Sequence, residues 1–425
     1  VTKGGHEVLT DVPYQLEEYW YYSKYTEGKE YPIYARKKGS LDGEEEVLID
    51  VNALAEGHAY YASNNQSVSH NHQLYAFSED TVSRRQYDIR FKDLSTGEML
   101  PDVIKNTTGS AAWAKDNKTV FYTRKHPTTL LPYRVYRHEL GTPVSEDVLV
   151  YEEPDNTFYV ACYTSRSNDY IMIYSGATTQ TEMLYLPADQ PQGEFTPVLP
   201  REDKHEYTVE DFNGDWMIKT NWKALNSRIM KAPIGASTDK QEWQEVVPHD
   251  DETLIYDMET FKDWLAVEQR KDGIRHIKVM NWATGDSQLI QADEPAYTMS
   301  IDYNPEQHQN VMRYEYDSLT QLGSVYEVDL DSGERKLLKQ DKINGEYNAD
   351  EYQSQRLEIT ARDGALVPVS MVYKKGLGDL DQRPLLVYAY GSYGSSIDPK
   401  FSLSRLSLLD RGFIFAIAHI RGSQA

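Results

Sequence analysis

The sequence holds one cysteine, Cys162, in 425 residues, which excludes an internal disulfide and suits a reducing compartment. Cys162 lies in a Val-Ala-Cys-Tyr run and reads as a small core residue rather than a thiol nucleophile. No apolar run approaches the ~20 residues of a membrane span, and no signal-peptide pattern opens the chain. The expected setting is therefore cytoplasmic, with no membrane partner. Asn-x-Ser/Thr triplets begin at Asn65, Asn106 and Asn117, and without a leader they read as chance. Positive charge is also short: 44 Lys and Arg face 67 Asp and Glu, a net charge of −23. That balance argues against nucleic acid, whose phosphates demand the opposite sign. It suits a cationic ligand drawn in by steering, although an acidic surface also serves solubility. His70 and His72 could share a strand face as metal ligands, but no third ligand stands near and a polar turn is the simpler reading. No metal or cofactor is expected. Phe and Trp are few, at 10 and 7, whereas Tyr reaches 33, which points to many half-buried strands with amphipathic edges.

What the sequence does have is a repeat. From about Tyr19 to Gln340 a β-rich strand, a turn, a second strand, a turn and a third strand keep returning. The first strand is anchored on Tyr21, Tyr75, Phe121, Met172, Met217, Leu265 and Met312. The second follows in step on Ile33, Ile89, Val135, Leu184, Ile229, Ile277 and Val325. Three of the turns, Leu94-Ser-Thr-Gly97, Trp282-Ala-Thr-Gly285 and Leu330-Asp-Ser-Gly333, are nearly the same, with Gly supplying a positive φ. All-β repeats of this length read as propeller blades, seven of them over residues 1–340, rather than as two β-sandwiches. The fourth strand of each blade is the least visible, with Ser110–Ala114 and Tyr297–Tyr303 as candidates.

The composition shifts after Gln340. Residues 341–356 read as a linker, and residues 357–425 as the start of an α/β-hydrolase domain. Leu357–Arg362 and Val367–Tyr373 form a hairpin about Asp363-Gly364. Leu385–Tyr390 is a continuous apolar run, as in a parallel strand buried on both faces. Apolar residues from Phe401 to Leu409 recur at helical spacing, and that helix stops at Arg411-Gly412. Phe413–Ile420 is a second apolar strand, and the two strands, opening a sheet at the end of the sequence, are expected to lack neighbours. The chain thus reads as cut within a domain. No Gly-x-Ser-x-Gly elbow is present. Ser392, flanked unevenly by Gly391 and Gly394, is a poor nucleophile candidate. His419, with no acid partner placed by sequence, reads as a packed residue.

The block from Leu385 to Pro399, with Ser404-Arg-Leu-Ser-Leu-Leu-Asp-Arg-Gly-Phe413 and Ala418-His-Ile-Arg-Gly422, resembles the prolyl oligopeptidase family of serine peptidases. Within the family it is most similar to the oligopeptidase B branch. Ser83-Arg-Arg-Gln-Tyr-Asp-Ile-Arg-Phe91 and the Arg124–His138 stretch carry the same resemblance into the repeats. It implies a propeller that restricts entry to short peptides and a Ser-Asp-His triad in an α/β-hydrolase domain. It implies cleavage after Arg or Lys, in keeping with the acidic balance, and no cofactor. By position, Tyr390 is the tyrosine whose hydroxyl donates to the tetrahedral oxyanion, and Tyr393 is a residue lining the substrate pocket. The triad and the family's N-terminal segment would lie outside these residues, so the chain alone is expected to be inactive. Where relatives continue Arg-Gly with more glycines and a Glu, this sequence has Ser423-Gln-Ala. A prolyl-specific peptidase and a propeller scaffold with a vestigial tail are the alternative readings.

Overall fold

The computed structural model describes residues 7–9 and 11–422. From Glu7 to Gln340 the chain is laid down as successive antiparallel meanders of four short strands. In the first, Glu7–Leu9 and Tyr14–Leu16 both pair with Tyr19–Thr26, and Ile33–Lys38 and Glu45–Asp50 follow. The fourth is typical: Tyr159–Thr164, Tyr170–Gly176, Thr181–Pro187 and Thr196–Leu199 pair in sequence order. The second and third share one sheet through a bridge between Thr107 and Arg124. The repeated strands read from the sequence are the second, third and fourth of each meander. The faint element is the one preceding them, as at Ala112–Trp113 and Tyr297–Ile301.

A meander buries its apolar faces against the next one, as stacked sheets do. Phe121 and Val135 of the third pack on Val160, Cys162, Ile171 and Ile173 of the fourth. Met172, Met183 and Val198 of the fourth in turn meet Tyr207, Trp216 and Ile218 of the fifth. Cys162 is a core residue, and burial pushes its thiol pKa well above the usual range, so it has no nucleophilic character at neutral pH.

Packing divides the chain into two compact units, Val1–Trp222 with Ile229–Val247, and Lys223–Arg228 with Pro248–Ala425. The second holds the last two meanders and a final mixed sheet. In that sheet Tyr352–Thr360 pairs antiparallel with Leu366–Lys374, which pairs antiparallel with Ile414–Ala418. Ile414–Ala418 then pairs parallel with Leu385–Tyr388. The helix Leu403–Asp410 crosses between the two parallel strands, its first turn capped by the Ser402 hydroxyl on the Arg405 N–H. Leu409, Phe415, Ile417 and Val372 close the core of this sheet together with Tyr352 and Leu319.

Three expectations need correction. The strand Leu385–Tyr388 is not buried on both faces: its side chains are 42–56 % exposed, because it lies at the sheet edge with one strand partner. Ile414–Ala418, by contrast, does not lack neighbours, since it is paired on both sides and buried along most of its length. The expected linker is also too long. Its last residues, Tyr352 to Arg356, already belong to a strand, where Tyr352 pairs with Lys374.

Candidate functional site

The parallel strand ends at Tyr388, and the chain then turns through residues 389–402 before the helix. Tyr390 stands two residues past the strand end and is 40 % exposed. Its placement depends on Gly391. A Cβ there would meet the Arg421 carbonyl oxygen at 2.4 Å, so the loop backbone passes against the backbone after the Ile414–Ala418 strand with no room for a side chain. Tyr393 is 99 % exposed and sits in the left-handed region at φ 57. That conformation costs a non-glycine residue about 1–2 kcal/mol. The turn is closed by the Ser395 N–H donating to the Ser392 carbonyl at 3.0 Å.

Two anchors hold the far end of the loop. Asp398 accepts from Arg270 Nη2 at 2.5 Å. The Phe401 N–H donates to Asp317 Oδ1 at 2.8 Å. Burial raises the Asp317 carboxyl to about 6, opposed by that N–H and reinforced by the nearby Asp341 carboxylate.

The other sequence candidates fall elsewhere. Ser392 is exposed, and its hydroxyl has no imidazole or carboxylate partner among the described residues. His419 does face a hydroxyl, with Nε2 at 2.8 Å from Ser370 Oγ, and Arg356 Nη1 donates to the same Oγ at 2.9 Å. The pair has the outline of a nucleophile and base but not the chemistry. Ser370 is fully buried, and the imidazole pKa is pushed down to about 4, by burial first and then by Arg356 and Arg270. A base that weak does not take a serine proton at neutral pH. His419 instead packs under the Asp272-Gly273 turn, where a Cβ at Gly273 would lie 2.7 Å from its ring. His70 Nε2 donates to the Trp113 carbonyl, and His72 meets the Tyr21 hydroxyl, so the two imidazoles face different partners. Ser423-Gln-Ala lies outside the described residues. Nothing in the sequence signalled Arg270, Asp317, Arg356 or Ser370, which act through contacts dozens of residues away.

Successive four-stranded meanders packed face to face define the class of β-propeller proteins. Residues 7–341 match the family described as prolyl oligopeptidase, N-terminal beta-propeller domain, and the chain belongs to the prolyl oligopeptidase family. Among curated proteins it is 42 % identical to the dipeptidyl aminopeptidase BI of Pseudoxanthomonas mexicana, over 97 % of this chain and 59 % of that relative. The structure of oligopeptidase B from Leishmania major superposes with a TM-score of 0.85 at 31 % identity, covering 100 % of this chain and 60 % of that one. Oligopeptidase B from Trypanosoma brucei gives a TM-score of 0.84 at 30 % identity, over 97 % of this chain and 60 % of that one. The chain spans about 60 % of the length of the relatives it matches. No helix among the described residues is long and apolar enough to cross a membrane.

Proposed function

We propose that this chain is the front part of a serine oligopeptidase: a seven-bladed propeller, a short linker, and the first strands of an α/β-hydrolase domain. The Ser-Asp-His triad would come from residues outside these 425. In the complete enzyme a serine attacks the peptide carbonyl, a histidine takes its proton, and an acyl-enzyme forms and is hydrolysed. Tyr390 supplies an O–H donor where negative charge develops on the carbonyl oxygen. The observation that carries this reading is the loop after the parallel strand, which presents Tyr390 at a glycine-pinned strand end ahead of a helix. Tyr393 lines the substrate pocket beside it.

The substrates proposed are short peptides cleaved after Arg or Lys, admitted past the propeller. The net charge of −23 and the likeness to two oligopeptidases B support that choice. The complete enzyme should hydrolyse an N-blocked arginyl amide reporter with at least about tenfold higher kcat/KM than the matching prolyl reporter, a difference of ~1.4 kcal/mol in transition-state binding. A prolyl preference would reject the basic specificity. A second reading, release of dipeptides from a free amino terminus, is favoured by the name of the Pseudoxanthomonas relative. Under it, only unblocked dipeptidyl reporters would be cleaved.

A further inference from the structure

We propose that Arg270 is a positioning residue for the oxyanion loop, acting through Asp398. The proposal rests on the reading of Tyr390 as the oxyanion donor. Arg270 lies on the strand Trp264–Lys271 of the sixth meander, 128 residues from its carboxylate partner, and is 2 % exposed. Its donors are spread over three elements. Nε donates to the Tyr256 hydroxyl at 2.9 Å, Nη1 to the Gly273 carbonyl at 3.0 Å and Nη2 to Asp398 Oδ1 at 2.5 Å. The planar guanidinium is thereby fixed in one orientation by the preceding strand and by the turn after its own, and it offers its remaining edge to the loop.

The loop is also held elsewhere: Gly394 forms a β-bridge, and Ile397 packs against the core of the final sheet. Its start is pinned where Gly391 meets the backbone at Arg421. Its end is held by Asp317 at Phe401 and by Arg405 Nη1 on the Lys400 carbonyl at 2.8 Å. Between these, Asp398 carries the one side-chain ion pair of residues 389–400 among the described residues. Tyr390 and Tyr393 lie N-terminal to it on a segment without regular structure. A buried charge pair adds little stability over an apolar contact of the same shape, but it fixes geometry, and one donor misplaced by ~1 Å costs on the order of a hundredfold in rate. Arg270 touches neither substrate nor Tyr390. It acts by fixing where the loop comes to rest.

The test is kinetic, in the complete enzyme, with Arg270→Met, Asp398→Asn, Tyr390→Phe and the Arg270→Met/Tyr390→Phe double variant on the reporter that the enzyme cleaves best. Arg270→Met and Asp398→Asn are each expected to lower kcat about ten- to a hundredfold with KM changed by less than about threefold. Arg270→Lys should recover part of the loss. The double variant should be scarcely slower than Tyr390→Phe, because a misplaced loop has no donor left to misplace. Asp398→Asn keeps the side-chain volume and covers the case in which Arg270→Met does not fold. Folded Arg270→Met and Asp398→Asn enzymes with unchanged kcat overturn the proposal, as does a double variant in which the two losses multiply. If Tyr390→Phe lowers turnover while Arg270→Met does not, the positioning role fails alone. If Tyr390→Phe has no effect, the oxyanion reading fails, and this inference with it.

Discussion

Replacing Tyr390 with Phe is expected to lower kcat of the complete enzyme by about ten- to a thousandfold, the worth of one oxyanion donor. The substitution removes one hydroxyl and nothing else. In the ground state the substrate carbonyl oxygen is nearly neutral, so the lost hydrogen bond is weak. In the tetrahedral transition state the oxygen is an anion, and a hydrogen bond from a fixed phenol is then at its strongest. The loss should appear equally in kcat and kcat/KM, with KM nearly unchanged. The Tyr390 side chain is 40 % exposed and is not one of the residues forming the core of the final sheet, so its hydroxyl is not expected to matter for folding. Tyr388→Phe, two residues earlier on the same edge and similarly exposed, is the matched control and should retain full activity. Tyr393→Ala should behave differently and raise KM, since a pocket ring acts on ground and transition states alike. Steady-state kinetics of these variants decides the matter. Unchanged kcat in Tyr390→Phe removes the tyrosine from the mechanism.

The second large effect concerns stability, in the first compact unit. His138 is fully buried between two carboxylates, with Nε2 at 2.8 Å from Asp102 Oδ2 and Nδ1 at 2.6 Å from Asp147 Oδ1. Asp147 also accepts from the Tyr122 hydroxyl at 2.5 Å, and Asp102 from the Gly141 N–H at 2.9 Å. Asp102 belongs to the second meander, while His138 and Asp147 belong to the third, so the imidazole ties the two together. Burial disfavours its charge, but the hydrogen bonds to Asp147 and Asp102 outweigh burial and the pKa is raised. His138→Phe leaves two buried carboxylates without their cation and is expected to cost about 3–5 kcal/mol. In a unit of this size that is a fall in Tm of roughly 6–20 °C.

The pH dependence has a definite sign. The folded protein holds the His138 proton more tightly than the unfolded chain, whose histidine titrates near about 6.5. The stabilisation is therefore fully present below about pH 6.5 and is lost as the pH rises through the higher folded value, at up to ~1.4 kcal/mol per pH unit. Urea midpoints measured from pH 6 to 9 should converge between wild type and His138→Phe toward alkaline pH. Parallel curves would mean that folded and unfolded states bind the His138 proton equally, which contradicts the raised pKa.

Much of the fold was legible in the sequence, and the reason is visible in the turns. At Leu94–Gly97, Trp282–Gly285 and Leu330–Gly333 the glycine takes φ 75–77, and its N–H closes on the carbonyl of Asp93, Asn281 or Asp329. Those same side chains cap the turn, as Asp93 Oδ1 does for the Ser95 N–H at 2.8 Å. Local chemistry of that kind repeats because each meander needs it. Strands such as Ala112–Trp113 or Gln66–Val68 are too short to show alternation, so the element preceding each repeated triplet stayed faint. The apolar run at Leu385–Tyr390 was read as doubly buried because composition reports what a strand can cover, not what covers it. At the candidate site, the proposal of Tyr390 and Tyr393 rests on a motif. Arg270, Asp398 and Asp317 were not legible, since their contacts join residues brought together only by the packing of the last meanders on the final sheet, and the Ser370–His419 pair was not, since it depends on the pairing of two strands within that sheet.

The proposed enzyme divides its labour: this chain carries the oxyanion donor, and the nucleophile comes from outside its 425 residues. A serine-directed phosphonate probe tests it most directly. No labelling of the 425-residue chain is expected, against about one probe per molecule on the complete enzyme. Stoichiometric labelling of the 425-residue chain itself would place a reactive serine within it and contradict the claim.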